Sequence, residues 1–205
     1  DGGQDALYVY DMQRGRMSRK MKFDLNGISA PSWAPDGSRI VFTGLDGGIS
    51  DLFVTDLDGS LTRLTNDKYA DLLPAWSPDG SRIAFTTDRS GTDLDLLVYG
   101  NTRIAVMDVG THRIDVLPQQ EEGKNINPAW SPDGTKLIWV SDRDGTNNLY
   151  LYDLQQSELS QITDVLSGVI AVTPLSPVIS WSRSGRMLFT YFHNAGYDTY
   201  AVDDP

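Results

Sequence analysis

Short apolar runs separated by polar turns recur along the chain in a fixed order. "PAWSPDGSRIAFTTDRSG" at 74–91 has near-copies at 31–48 ("PSWAPDGSRIVFTGLDGG") and 128–145 ("PAWSPDGTKLIWVSDRDG"), and a diverged copy at 177–196 ("PVISWSRSGRMLFTYFHNAG"). In each copy a tryptophan precedes "PDG" or its relative "RSG", a tight turn in which Pro presets φ, Asp tolerates the third position and Gly closes. An apolar run carrying an aromatic follows: "RIVF", "RIAF", "KLIW", "RMLF". A second polar turn leads to a β-rich run ending in Asp: "DLFVTD" (51–56), "RIAVMD" (103–108), "LYLYD" (149–153), "TYAVD" (199–203), and at the start "LYVYD" (7–11). A short alternating run ends the unit: "LTRLT" (61–65), "RIDVL" (113–117), "LSQIT" (159–163).

The order predicts four short strands per unit, joined by hairpin turns and rich in Val, Ile, Thr and aromatics. No stretch shows sustained helical periodicity with caps. Four-stranded antiparallel sheets repeating every ~40–50 residues predict an all-β propeller. A lone sheet of this kind cannot bury both faces, whereas stacked sheets bury theirs against each other. The expected organisation is one propeller arc over 1–205, with three full blades (26–68, 69–120, 124–165) and two partial ones (1–25 and 174–205). Trp33, Trp76, Trp130 and Trp181 are expected to fill the space between blades, each indole N–H bonded to backbone. The turn aspartates Asp36, Asp79 and Asp133 and the strand-end aspartates Asp56, Asp108 and Asp153 are expected to cap nearby N–H groups. An open arc leaves blade faces and strand edges exposed, so the chain expressed alone is expected to associate.

The phrase "PAWSPDGSRIAFTTDR", followed by the strand ending in Asp and by "LT", resembles the repeat of TolB-like β-propellers, a WD40-like repeat also used in the propeller domains of prolyl-oligopeptidase-type and tricorn-type proteases. The resemblance covers essentially the whole chain. It departs in the fourth copy, where "SRSG" replaces "SPDG" and "YFHNAG" replaces "SDRDG". The segment "GVIAVTPLSPVISWSRSGRMLFTYF" also resembles the propeller region of large bacterial envelope proteins. The resemblance implies a non-catalytic scaffold binding protein partners, or further segments of its own polypeptide, in the periplasm or at the outer cell surface. Two alternatives stay open: a substrate-gating propeller of a serine peptidase whose hydrolase domain is elsewhere, and a glycan- or small-ligand-binding propeller.

A phrase repeated from blade to blade reads as scaffold, so function is sought where the copies differ. The second copy carries about nine more residues between its Trp76 and Asp108 than the first does between Trp33 and Asp56. They lie in "TDLDLLVYGNT" (92–102), where Leu94, Leu96, Leu97, Val98 and Tyr99 are unexpectedly apolar for a loop. The link from Asp153 to Trp181 is also long and contains "LSGVIAVTPL" (166–175), with Val169, Ile170 and Val172. His193 stands where other copies carry Asp-Arg. These residues are the candidate partner-binding positions; the alternative is that they are lengthened strands or pack on a neighbouring domain.

Charge and composition narrow the chemistry. The net charge of -11 disfavours nucleic acid and anionic membrane surfaces. The absence of cysteine excludes disulfides, thiol catalysis and cysteine-ligated zinc. No apolar run approaches the ~20 residues of a membrane helix, so no direct membrane insertion by this segment is expected. The chain opens "DGGQDALYVYD" and reads as a piece of something longer. Nucleophile elbows, H-E-x-x-H and phosphate-cradling Gly-Lys loops are missing. Of the two histidines, His112 reads as a solvent-facing turn residue. No catalytic residue and no cofactor is expected. "DRDGTNN" (142–148) places Asp142, Asp144 and Asn148 in a turn faintly like a calcium loop, against the simpler reading of a self-bonded hairpin turn.

Overall fold

In the computed structural model the residues described are 4–170, 176–193, 195–203 and 205. They contain strands and turns and no helix. β1 (Leu7–Asp11) and β2 (Arg16–Met21) form a two-stranded sheet. Three four-stranded antiparallel sheets follow, each in sequence order. They are β3 (Gly27–Trp33), β4 (Arg39–Asp46), β5 (Ile49–Asp56) and β6 (Leu61–Arg63); β7 (Asp71–Trp76), β8 (Arg82–Thr87), β9 (Arg103–Asp108) and β10 (Ile114–Val116); and β11 (Asn125–Trp130), β12 (Lys136–Ser141), β13 (Asn148–Asp153) and β14 (Glu158–Gln161). A three-stranded sheet ends the chain: β15 (Ile179–Trp181), β16 (Arg186–His193) and β17 (Gly196–Asp203). This is an all-β propeller architecture with three full blades and two partial ones.

The "PDG" phrase builds the turn between the first and second strands of each blade. The amide of Gly37, Gly80 or Gly134 donates to the carbonyl of Ala34, Ser77 or Ser131 at 2.9, 3.0 and 2.9 Å. Each of these glycines has φ near +70°, a conformation other residues rarely adopt. Asp36, Asp79 and Asp133 accept the amides of Ser38, Ser81 and Thr135 at 2.9, 3.1 and 3.0 Å. In the fourth copy Gly185 still donates to Ser182, and the Ser182 and Ser184 hydroxyls bond each other where the aspartate would stand. At the other turn on this face, Asp56 takes the Asp58 and Ser60 amides, Asp108 that of Thr111, and Asp153 those of Gln155 and Gln156.

These bonds favour the ionised carboxylate. Hydrogen bonds from the hydroxyl of Ser77 and from Ser81 lower Asp79 to about 2. Asp36, Asp56, Asp108 and Asp133 are likewise held below the ordinary aspartate range, chiefly by Ser38, Ser60, Thr111 and Ser131. A carboxylate depressed in the folded state stabilises it fully above the unfolded value, near 4, and loses that contribution as pH falls through the folded value. The melting temperature is therefore expected to drop between about pH 4 and 2. Asp79→Asn with Asp133→Asn should flatten that drop; an identical pH profile would show that the turns are not its source.

The hydrophobic core is divided between blades. One cluster joins the first two full blades through Val41, Leu52, Trp76, Ile83, Phe85 and Met107. A second joins the next pair through Ile104, Trp130, Leu137, Trp139 and Tyr152. A third links Ile138, Leu149 and Leu151 to Val178, Met187 and Phe189 of the last sheet. The fourth seats β1 and β2 on the first full blade through Leu7, Met21 and a Phe23–Phe42–Phe53 stack with centroids 5.4 and 6.0 Å apart. Each blade is thus held by its neighbours, as stacked repeats require.

The four tryptophans do not share one environment. Trp130 is buried, donates its indole N–H to the Ala75 carbonyl of the preceding blade at 3.0 Å, and lies under the Arg82 guanidinium at 4.6 Å. Trp76 is buried in the same manner, with Arg39 at 5.1 Å, but its indole N–H has no acceptor among the described residues. Trp181 is half-buried and donates to Gly185 of its own turn at 3.1 Å. Trp33 corrects the inter-blade expectation, being 47% exposed. Among the described residues the sheet that precedes it holds two strands, β1 and β2, whereas those preceding Trp76 and Trp130 hold four.

Candidate functional site

The innermost strands β3, β7, β11 and β15 line a concave groove of about 1030 Å³. Three of them share a local distortion. The ladder is interrupted between Ser29 and Ser32, Leu72 and Ala75, and Ile126 and Ala129. At each break one residue takes a left-handed φ, Ala30 at 50°, Leu73 at 54° and Asn127 at 58°, and a proline follows. Proline lacks the amide the ladder would use, and a bulge bends the strand where that amide is missing. The groove walls are accordingly prolines, among them Pro74 and Pro128, with the edges of Trp76, Trp130 and Trp181. Among the described residues the lining contains no carboxylate and no imidazole. Where the other copies place Ala30 and Leu73, the third places Asn127, 8% exposed, whose Nδ2 has no acceptor among the described residues. The groove escaped the sequence reading. Its signal was the proline two residues before Trp33, Trp76 and Trp130, read there only as part of a scaffold phrase.

The antiparallel strand order puts every first-to-second and third-to-fourth turn on one face of the arc. The second-to-third turns and the links between blades lie on the other. The long segment 92–102, residues 166–170 of the other long segment and residue His193 all belong to that second face. The β8–β9 connection is a compact projection on which Leu96, Leu97, Val98 and Tyr99 are exposed and Leu94 is half-buried. The other long segment departs from its expectation. Val169 is 1% exposed, bridged to Tyr191 and packed in the third core cluster, so it is a core residue and not a contact for a partner. Its amide donates to the Asn147 carbonyl at 2.7 Å, which draws the link onto the blade. Ile170 is partly exposed, and Val172 lies outside the described residues. His193 is exposed at the end of β16 and stacks on Tyr191 at 5.7 Å, whereas His112 sits in the β9–β10 turn of the opposite face. The two histidines are not brought together.

The three calcium-loop candidates each have a partner of their own within the protein. Asp142 accepts the Lys124 amide at 2.7 Å, as Asp88 accepts that of Ala70 at 2.9 Å in the preceding copy. Asp144 accepts the Tyr150 hydroxyl, and burial together with Asp144 pushes that phenol up. Asn148 is buried and takes the Thr163 hydroxyl and the Val165 amide, both at 3.0 Å. Each is committed to holding a turn or a strand end.

Carboxylates do meet elsewhere, between the first two full blades. Oxygens of Asp51, Asp67 and Asp71 lie within 4.8 Å of one another, with Asp51 and Asp71 fully buried. Two guanidinium groups answer them. Arg63 bonds Asp51 and, at 3.1 Å, Asp46; Arg89 bonds Asp71 at 2.7 and 2.8 Å and Asp67 at 3.0 Å. Burial pushes the Asp71 carboxyl up, although Thr87 and Arg89 pull it down. Arg63 thus pairs within the first full blade, and Arg89 pairs with Asp71 of its own blade and with Asp67 of the link that leads into it.

Comparison with known proteins agrees with this architecture. The TolB beta propeller domain family matches residues 1–94, and the dipeptidyl peptidase IV N-terminal region matches residues 98–173. A "Protein TolB homolog" of Protochlamydia amoebophila (strain UWE25) is 28% identical over 170 residues, covering 78% of this chain and 35% of its own length. The crystal structure of TolB from Acinetobacter baumannii superposes with a TM-score of 0.75 at 22% identity, over 98% of this chain and 46% of that one. A puromycin hydrolase structure superposes with a TM-score of 0.67 at 18% identity, over 89% of this chain and 28% of that one. This chain thus spans less than half the length of each of these relatives. With its blades stacked as described and its phrase recurring in four of the five, the chain is built of TolB-like β-propeller repeats.

Proposed function

We propose that this segment is a non-catalytic propeller scaffold that holds a protein partner, acting outside the cytoplasm at a bacterial cell envelope. The inner groove carries the reading. Its walls are rich in prolines and indoles, with Arg183 also in the lining, and no carboxylate or imidazole lines it among the described residues. Two of its residues, Trp76 and Asn127, keep donors without acceptors among the described residues. An extended polypeptide supplies what such walls take, apolar side chains for the rings and backbone carbonyls for the donors. The relatives named for TolB favour the envelope setting. The full-length gene product, screened on an array of extended peptides, should give hits whose affinity falls about tenfold in Asn127→Leu, the size of a lost hydrogen bond to a buried group. An unchanged hit list and affinity in that variant would remove the groove from the function.

A second reading follows from the match of residues 98–173 to the dipeptidyl peptidase IV N-terminal region. Here the propeller gates a peptidase, and the groove is a passage. A fluorophosphonate probe separates the two readings, because covalent labelling of a serine in the full-length product supports the gate and its absence the scaffold.

A further inference from the structure

We infer that the β8–β9 projection is a preformed docking prong for a protein surface that combines an apolar pocket with a basic rim. This goes beyond the groove reading and rests on other residues. The prong is tied at its base. Asp88 accepts the Thr92 hydroxyl at 2.9 Å while its other oxygen takes the Ala70 amide, and Thr92 Oγ1 accepts the Gly100 amide at 3.1 Å. The backbones of Gly91 and Gly100 touch, and a Cβ on Gly100 would fall 2.2 Å from the Gly91 carbonyl carbon. Above this neck Asp93 and Val98 exchange both backbone bonds, at 2.8 and 2.9 Å. The Asp93 carboxylate takes the Asp95 and Leu96 amides at 3.0 and 3.1 Å, and Leu97 is held at φ 54°.

The result is a tip with one shape. Leu96, Leu97, Val98 and Tyr99 are 73, 71, 53 and 72% exposed, although the short neck leaves them no route into the core. The corresponding connection in the first full blade is only the Gly47-Gly48 turn, so blade architecture does not call for the prong. Contiguous apolar side chains held away from the body are a contact surface that lacks its partner. Because the tip is already ordered, a partner meets little ordering cost on binding.

Charge selects among occupants. Asp93 and Asp95 are exposed on the prong, and Glu121 and Glu122 are exposed on the adjacent link, which is tied to the prong's exit by the Asn125 amide bonding Thr102 at 2.9 Å. The Arg89 cation at the base is committed to Asp67 and Asp71. An apolar tip in an acidic collar, on a chain of net charge -11, is repelled by anionic lipid and by a second copy of itself. It fits a partner whose lysines or arginines surround an apolar recess.

The test places a photo-crosslinking amino acid at Leu97 of the full-length protein in its native cells, with a control at Asp58 on the opposite face. The expected result is one discrete protein adduct from position 97 and none from the control. With the crosslinked protein then purified, Leu96→Ser with Leu97→Ser should weaken binding about tenfold or more. Asp95→Lys with Glu121→Lys and Glu122→Lys, all at exposed positions, should slow association about tenfold and remove its dependence on salt between about 50 and 300 mM. Melting temperatures are measured for every variant, so that misfolding is recognised. Absence of a protein adduct at 97, an adduct to the chain's own sequence, binding to vesicles of phosphatidylcholine with phosphatidylglycerol that requires the tip, or an association rate indifferent to charge reversal would each overturn the inference.

Discussion

Replacing Trp130 with alanine is expected to destabilise the folded chain by about 3–5 kcal/mol, the range for a large buried aromatic. The ring fills the space between two full blades, and its removal also strips the Ala75 carbonyl of its donor and the Arg82 guanidinium of its platform. Trp76→Ala should cost nearly as much through the same burial, less one hydrogen bond. Trp33→Ala should cost about 1 kcal/mol or less, since nearly half the side chain stays in water. Urea titrations of the three variants against the parent give the ranking. Equal losses at Trp33 and Trp130 would show that the residue's place in its own strand, and not the neighbouring blade, sets its worth.

That contrast marks what the sequence could carry. The repeated phrase encodes local geometry, and local geometry was legible: the "PDG" turns, the strand-end aspartates and the four-strand order all lie within a few residues of the signals that specify them. Burial against a neighbour is a different kind of information. Trp33 and Trp130 sit in the same phrase, yet one is exposed and the other buried because different sheets precede them. Val169 was misjudged for the same reason. Its segment looks like an apolar loop, and only the contact with Tyr191 and the bond to Asn147 turn it inward. The apolar insertion at 94–99 was visible as an anomaly, but its rigid neck depends on Asp88, Thr92 and two glycines meeting in space. The groove was hidden more deeply, since its walls come from four strands spread over the chain and its bulges need a left-handed residue that Ala30 and Leu73 do not announce.

The cluster of buried ion pairs where the first two full blades meet was also invisible in sequence, and it supports the second large effect. Arg89→Leu is expected to destabilise the chain by about 3–5 kcal/mol, the cost of leaving a buried charge without its partner. Asp71 has no solvent to turn to, and Asp51 of the neighbouring blade lies within 4.8 Å. Arg63 cannot serve both, because it is engaged with Asp51 and Asp46. The loss should depend on pH in a definite direction. Burial already raises the Asp71 carboxyl, and removing the guanidinium takes away an influence that lowers it, so the folded-state value climbs further. A carboxyl whose folded value lies above its unfolded one binds more protons when folded, so stability falls as pH rises through that window. The deficit of Arg89→Leu is therefore greatest near neutrality and shrinks on acidification toward the ordinary aspartate range, opposite in sign to the contribution of the turn aspartates. Adding Asp71→Asn to Arg89→Leu should recover a large part of the loss at neutral pH and abolish its pH dependence, because the buried charge is then gone along with its partner. Denaturant melts of the single and double variants at about pH 5 and pH 7 read both terms. A deficit constant with pH, or a double variant no more stable than Arg89→Leu alone, would show that Arg89 matters for its packing over Phe85 and Tyr69 and not for the charge it neutralises.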